Sequence, residues 1–381
     1  MFTHVVIHYA EIATKKGNRE FFEKALARNI KRKLPQEKLK RDYGRFLIEL
    51  SGGYDREKII DALSKTFGIA NFSFAAAADL DMNDITMKSL LLAKESDFRT
   101  FRVSTRRLNK SFPLTSMQVN EAVGTAVCVE GKSVSLTKPE LEINIEIVGK
   151  KAYIYSDVIQ GPGGLPVGVS GKVVSLISGG IDSPVAAWLA MKRGCKCIFI
   201  HFHNYTLYSD SVKNKITRLV KVLSDYNGPT KLYIVPFAGI QQEIIKNVPS
   251  EVRMIAYRRA MLRIADQIRQ ETGGKAFVTG DSIAQVASQT LDNLDVIYSV
   301  VSKPIIAPLI GYDKKETIKL AERLRTYEIS ILPYSDCCSA FIAEHPSLRS
   351  TSEELAACEK NLNFGLLAKN AIEKAEVLEF T

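Results

Sequence analysis

The chain has 381 residues, of which 46% are hydrophobic and 25% charged, and a formal net charge of +10. That length exceeds one ordinary core, so two or three domains are expected, and the apolar content excludes a disordered chain. No apolar run is long enough to cross a bilayer, and the start MFTHVVIHYAEIATKKGNRE lacks the features of a secretory signal, which together point to the cytoplasm and away from membranes.

In chain order, HVVIHYAEI reads as a strand and NREFFEKALARNIKRKL as an amphipathic helix with Phe22, Leu26 and Ile30 on one face. YGRFLIEL alternates as a strand, DREKIIDALSKTF follows as a helix and NFSFAAAA as a further strand. Strand, helix, strand, helix, strand across residues 1–77 suggests a small ferredoxin-like α+β unit. A second α+β unit, residues 78–165, opens with the helix ITMKSLLLAK and the strand FRVSTRR. The helix SMQVNEAVGTAVCVE comes next, followed by the strands KSVSLT, LEINIEIVG and KAYIYSDVI. GPGGLPVGVSG, residues 161–171, is uncharged and rich in glycine and proline, and is expected to be a linker.

From residue 172 to 381 the pattern changes. KVVSLIS, CIFIHFHN, KLYIVPF and KAFVTGD are short apolar runs separated by helices such as SVKNKITRLVKVLSDY and RMIAYRRAMLRIADQIRQETG, and the chain closes on a helical tail, EELAACEKNLNFGLLAKNAIEKAEVLEF. Such alternation implies right-handed crossovers and a buried parallel sheet, an α/β domain that binds ligands beyond the carboxyl ends of its strands.

SGGIDS sits at such a strand end, between KVVSLI and the helix SPVAAWLAMKRG. Gly179 and Gly180 permit positive φ and close approach to the backbone. Ser178, Ser183 and the amides of the helix start offer donors to an anion, with phosphate the obvious one. There is no G-x-x-x-x-G-K-[ST] and no G-x-G-x-x-G, which disfavours a kinase-type loop and a dinucleotide fingerprint. Asp182, the one acid of the loop, is suited to holding Mg²⁺ against phosphates.

Basic residues cluster in the first half. Lys31, Arg32 and Lys33 lie near Lys38, Lys40 and Arg41, and FRVSTRRLNK lies in a stretch from Phe98 to Asn120 that contains no acid. Such patches attract phosphate backbones. The six cysteines, Cys128, Cys195, Cys197, Cys337, Cys338 and Cys358, form no C-x-x-C, so neither structural zinc, an iron–sulfur cluster nor a disulfide scaffold is favoured. His201 and His203 alternate on one strand without nearby Cys or acid partners, which favours packing or nucleotide contact over a metal pair.

SLISGGIDSPVAAW, HFHNYT, RMIAYRRAMLRIAD, VTGDSIAQVASQTLDNL, PLIGYDKKE and PYSDCCSAF, in this order, resemble the tRNA 4-thiouridine synthetase family of PP-loop ATP pyrophosphatases. EIATKKGNREFFEKAL resembles that family's N-terminal motif, and FRVSTRRLNKSFPLTSMQVNEAVGTAV resembles its THUMP RNA-binding domain, so the likeness spans nearly the whole chain. It implies an ATP-dependent sulfurtransferase: AMP is transferred to O4 of a tRNA uridine, position eight in the family, and sulfur from a cysteine persulfide or sulfide then replaces it.

The resemblance also assigns roles. Leu176, Ile177, Ser178, Gly179, Gly180, Ser183, His201 and Phe202 would line an ATP pocket. Arg258 would meet phosphate by charge, Gly280 would permit close approach and Gln289 would supply a directed hydrogen bond. Asp182 and Lys314 would be catalytic, with Lys315 a substitute for the lysine. Cys337 and Cys338 are the sulfur candidates, Cys338 favoured by its spacing to Pro346. Tyr257, Arg258 and Arg259 on one helix could otherwise be a solvated face, and the motif favours phosphate contact for Arg258 alone. Arg102, Arg106, Arg107 and Lys110, supported by Lys16 and Arg19, would hold tRNA through backbone and shape.

Many members of the family carry a C-terminal rhodanese-like domain that receives sulfur, and such a domain is not expected within the stretch that closes on EELAACEKNLNFGLLAKNAIEKAEVLEF. A cysteine desulfurase, a separate carrier or free sulfide would then supply it. A homodimer would let one subunit hold RNA while its twin modifies it. Two rivals stay open: another PP-loop enzyme adenylating a different carbonyl, and a tRNA-binding protein without catalysis. The basic first half speaks against the former, and intact Ser178, Gly179, Gly180, Asp182 and Ser183 against the latter.

Overall fold

Both faces of the first strand, β1 (His4–Tyr9), are covered. Val5 and Ile7 pack with Leu26, Ile30 and Leu63 on the helix side, while Val6 joins Leu47, Ala75 and Tyr153 on the other. The structure, a computed structural model, describes residues 2–15, 17–42, 44–129, 131–204, 210–333 and 343–381, and they divide into two units, Met1–Pro166 and Val167–Thr381.

In the first unit β1 is followed by α1 (Arg19–Lys33), β2 (Lys38–Asp42), β3 (Arg45–Glu49), α2 (Arg56–Ser64) and β4 (Ile69–Asp79). Leu26 and Ile30 are the buried stripe of α1, and Lys31, Arg32 and Lys33 close its last turn, where cations oppose the helix dipole. Asp55 caps α2 by accepting from the Lys58 amide. The antiparallel order β2-β3-β1-β4 is the ferredoxin-like arrangement. Its second strand was not expected, because KLKRD has only Leu39 to bury. It survives as a charged edge strand, the composition that keeps an unpaired edge from recruiting another chain.

The next elements are α3 (Met82–Lys94), β5 (Thr100–Arg107), α4 (Ser116–Val129), β6 (Ser133–Val134), β7 (Leu141–Val148), β8 (Lys151–Tyr155) and β9 (Ile159–Gln160). The expected strand KSVSLT shrinks to the two residues of β6, and KAYIYSDVI splits into β8 and β9. The long β4 pairs with β1 through Ala75 and with β8 from Ala76 onward, so both halves of this unit share one nine-stranded sheet. The glycine-rich stretch expected as a linker is pinned rather than free. Gly161 and Gly163 donate to the carbonyls of Ala70 and Ile69 in the first unit, and Gly168 and Ser170 both donate to Gly194 in the second.

The second unit runs β10 (Lys172–Leu176), α5 (Asp182–Lys192), β11 (Lys196–His203), α6 (Asp210–Asn227), β12 (Thr230–Pro236), α7 (Ala238–Asn247), α8 (Arg253–Thr272) and β13 (Ala276–Val278). It continues through α9 (Leu291–Tyr298), β14 (Ile305–Ile306), α10 (Lys314–Arg323), α11 (Tyr327–Ser330), α12 (Ser352–Glu359), α13 (Phe364–Glu373) and β15 (Glu376–Phe380). The sheet order is β14-β13-β10-β11-β12-β15, parallel except for β15. The helical tail therefore ends in a strand: EVLEF pairs antiparallel with β12, and Lys231 meets Glu379 across that pair at 2.9 Å.

Chain order places β11 and then β12 on one side of β10, whereas β13 returns on the other. The loop after β10 and the loop after β13 therefore meet at a reversal of strand order, where open α/β sheets form their ligand crevice. Helix α8 is buried well beyond one stripe, including Tyr257 and Arg259, so these two residues are not on a solvated face. Arg259 instead donates to Glu359 at 2.8 and 3.0 Å and to the Val296 carbonyl, tying α8 to α12 and α9.

Candidate active site at the strand-order reversal

The Ser178–Ser183 loop is held in shape by its two serines. Ser183 Oγ accepts from the Ser178 amide at 2.8 Å and lies 3.1 Å from Ser178 Oγ, which itself accepts from the Gly180 amide at 3.2 Å. No side chain caps α5, so its amide end is open to an anion. Neither Gly179 nor Gly180 takes a positive φ, so that part of the expectation fails. Gly280, at the end of β13, is small for a different neighbour than expected. A Cβ there would lie 2.9 Å from Ser183 N and 3.0 Å from Ser183 Cα, so the glycine lets the start of α5 settle against the β13 loop.

These loops open onto a cavity of about 600 Å³. Leu176, Ile177, Ser178, Asp182, Ser183, His201, Phe202, Arg258, Gly280 and Gln289 all line it, so the structure brings ten sequence-selected residues together. Ile200, Met254, Ile255 and Met261 add an apolar wall that no motif announced. His201 is 2% exposed, its Nδ1 donates to the Ile177 carbonyl at 2.9 Å, and burial pushes its pKa down to about 4. The ring is therefore neutral at physiological pH and anchors the strand end that leads into the loop. Burial likewise lowers His203 to about 4, and among the described residues no group of three or more His, Cys, Asp or Glu is placed to hold a metal.

Asp281 is the hub that the sequence did not disclose. It is 3% exposed, and its Oδ1 accepts from Arg258 at 2.6 Å and from Gln289 at 3.0 Å, while Oδ2 accepts from Tyr298 at 2.7 Å. Burial opposes its ionisation, but the Arg258 guanidinium and these donors outweigh it and hold the carboxyl below its ordinary pKa. Arg258 also donates to the Ser288 carbonyl. Its charge, expected to face phosphate, is matched by a buried carboxylate, which makes Arg258 a wall of the cavity.

At the loop's other end Asp182 receives Lys314 Nζ at 2.7 and 3.0 Å on its two oxygens and Gln285 Nε2 at 2.9 Å on Oδ2. Of the two adjacent lysines it is Lys314 that reaches the acid. Gln285 was not singled out by sequence. It follows Ala284, whose φ of 60° is costly for a residue with a Cβ, in a segment closed by the Ala284 amide on the Gln289 carbonyl. Cys337 and Cys338 lie outside the described residues.

In the first unit Arg102 and Arg106 share one face of β5 and line a cleft of about 780 Å³ with His8, Asn71, Asn120 and Asn144. Arg102 is engaged by Glu142 at 2.7 Å and the Leu136 carbonyl, whereas Arg106 is exposed. Arg107, on the opposite face, does not join them. It donates to the carbonyls of Phe112 and Leu114, each at 2.7 Å, and so fastens a loop. Lys110 is exposed. Arg19 is 41% exposed, but it stacks over Tyr9 and bridges Glu23 at 2.9 Å. Lys16 lies outside the described residues. His8 Nδ1 lies 2.8 Å from Asn71 Oδ1 and Nε2 lies 2.9 Å from Glu146 Oε1, both acceptors, and burial, with Arg45 nearby, lowers its pKa to about 4.

A serine- and glycine-built loop joined to an uncapped helix, set at a strand-order reversal beside an apolar slot, defines a parallel α/β domain of the PP-loop class. Residues 168–364 match the family described as Thiamine biosynthesis protein (ThiI), residues 4–73 the ThiI ferredoxin-like domain and residues 77–157 the THUMP domain. The chain belongs to this family. It is 41% identical to a probable tRNA sulfurtransferase of Moorella thermoacetica, covering 99% of this chain and 98% of that one. To the probable tRNA sulfurtransferase of Caldanaerobacter subterraneus subsp. tengcongensis it is 42% identical, covering 98% and 99%. Its structure resembles a 4-thiouridine synthetase solved with RNA and bound ATP, with a TM-score of 0.92 and 37% identity over 100% of both chains.

Proposed function

We propose that this protein is an ATP-dependent tRNA sulfurtransferase that makes 4-thiouridine. The observation that carries the reading is the convergence, on one cavity, of the Ser178–Ser183 loop, the apolar slot and the Asp182–Lys314 pair. The adenine ring suits the slot of Leu176, Ile200, Phe202 and Met261, and the triphosphate suits the loop amides and the start of α5. Asp182, a single carboxylate beside a phosphate cradle, fits Mg²⁺, which takes one or two carboxylates and fills its shell from phosphates and water. Bound there, the ion would neutralise charge building on the departing pyrophosphate.

In this reading O4 of a uridine, position eight of tRNA, attacks the α-phosphorus of ATP and expels pyrophosphate. The C4 oxygen becomes part of a good leaving group, AMP, which the outer sulfur of a persulfide on Cys337 or Cys338 displaces, and a second thiol then attacks the resulting C4–S–S–Cys bond, freeing 4-thiouridine and forming a disulfide that an external thiol must reduce before the next turnover. Lys314, held on Asp182 beside the loop, supplies positive charge where phosphate charge develops. A cysteine desulfurase or another donor supplies the sulfur. Arg102, Arg106 and Lys110 support tRNA binding through the phosphate backbone. The test is incubation of the purified protein with tRNA, Mg·ATP and a sulfur source, with nuclease digestion to quantify 4-thiouridine. AMP and pyrophosphate in step with thiolated uridine are expected; ADP and orthophosphate would overturn the scheme.

A further inference from the structure

Helix α6 buries one apolar stripe, Ile216, Leu219, Val220 and Leu223, and beside it one cation, Lys215, only 3% exposed. Burial lowers the pKa of this ammonium, a cost that a leucine or methionine in its place would not carry. What the ammonium does there is specific. Its Nζ donates to the Ser330 carbonyl at 2.9 Å and to the Leu332 carbonyl at 2.7 Å, the first at the last residue of α11 and the second two residues on, where helix-end carbonyls lack partners in their own helix. Ser330 in turn donates from Oγ to the Gly180 carbonyl at 3.3 Å, within the phosphate loop. Lys215 and Ser330 thus fasten the chain to the PP-loop immediately ahead of residues 334–342.

The chain is fastened again on the far side. Pro346 and Ser347 line the same cavity, the Ser347 amide donates to the Glu251 carbonyl at 2.9 Å, and Asn293 Nδ2 donates to the Ser347 carbonyl at 2.9 Å. Cys337 follows Leu332 by five residue steps, with four residues between, so chain length alone limits it to about 18 Å from Leu332. A cap needed only for stability would not have to be a desolvated cation joined to the catalytic loop through one serine.

We propose that Lys215 is a positioning residue for sulfur transfer: by holding the Ser330 and Leu332 carbonyls beside Gly180 it sets where the cysteine-bearing chain leaves α11 relative to the activated uridine. The inference rests on the sulfurtransferase reading above. Its test uses Lys215→Met, which keeps most of the unbranched stem and removes all three donors, in single-turnover reactions with tRNA, Mg·ATP and a sulfur source, reading pyrophosphate and 4-thiouridine separately. Pyrophosphate release is expected to stay within about twofold of wild type while 4-thiouridine formed per pyrophosphate falls at least about tenfold, since misplacing a reacting group by 1 Å costs up to about a hundredfold. Equal loss of both products, or loss of neither, overturns the proposal and leaves Lys215 a structural cap. If Lys215→Met does not fold, Lys215→Gln, which retains a donor for one carbonyl, must show the same split in smaller degree, and an unsplit loss again overturns it. Wild-type protein yielding neither product would instead overturn the sulfurtransferase reading.

Discussion

Gly280→Ala adds one methyl group where the backbone of Asp182 and Ser183 lies close against the loop after β13. Its Cβ would meet Ser183 N at 2.9 Å, Ser183 Cα at 3.0 Å and the Asp182 carbonyl carbon at 3.1 Å, all backbone atoms that no rotamer change can move away. The start of α5 must therefore recede by several tenths of an ångström, carrying Ser183 and the Ser178 bonds with it. Overpacking of this kind costs about 1–3 kcal/mol. In a unit of this size each kcal/mol lowers the melting temperature by about 2–4 °C. Because the displaced backbone is the proposed phosphate cradle, ATP should stabilise the variant less than it stabilises wild type. The assay is thermal melting with and without Mg·ATP, joined to an ATP titration by calorimetry. A variant with wild-type melting temperature and wild-type ATP affinity would refute the argument that Gly280 exists to seat α5.

Two further outcomes follow from groups already placed. Burial lowers His201 from 6.5 to about 4, so the unfolded chain binds the additional proton between those values. Its contribution is complete above pH 6.5 and is lost as pH falls toward 4, by about 3 kcal/mol. Urea midpoints across that range should fall less steeply for His201→Gln, and an unaltered pH dependence would count against a neutral His201 in the native state. On β5, Arg106→Gln should weaken tRNA binding and reduce the slope of log affinity against log salt by about one, with no change in melting. Arg107→Gln, which frees two loop carbonyls, should instead cost about 1–3 kcal/mol of stability. Fluorescence anisotropy at several salt concentrations and thermal melts separate the two, and a salt slope that follows Arg107 would reverse the assignment.

What could be read from the sequence was what is local. The Ser178–Ser183 loop announces itself because strand, loop and helix are contiguous, and the ferredoxin-like and parallel-sheet halves follow from periodicity over single elements. The edge strands β2 and β15 were hidden for the same reason in reverse. KLKRD has only Leu39 to bury, and EVLEF, though it carries Val377, Leu378 and Phe380, runs straight on from a helical stretch, so pairing to β3 and β12 is what makes them strands. Gln285 and Lys314 reach Asp182 from 103 and 132 residues away, so only the return of β13 beside β10 brings them together. Lys314 was found through motif likeness; nothing marked Gln285, Asp281 or Lys215.

Asp281 shows why such residues escape a sequence reading and what they add. An acid between two loops looks solvated in one dimension, yet here it is buried and would be expensive there without Arg258, Gln289 and Tyr298. Once it is in place, Arg258 and Gln289 are both aimed by one carboxylate oxygen, which fixes the guanidinium at the cavity wall. The Asp281 cluster thus shapes the slot from within, and in the proposed reading the loop amides, the start of α5 and Lys314 face the phosphates beside it. That division lets the binding wall stay rigid while the charges at Asp182 remain accessible, and preorganisation of this kind is how a site favours the transition state without reorganising at the moment of reaction.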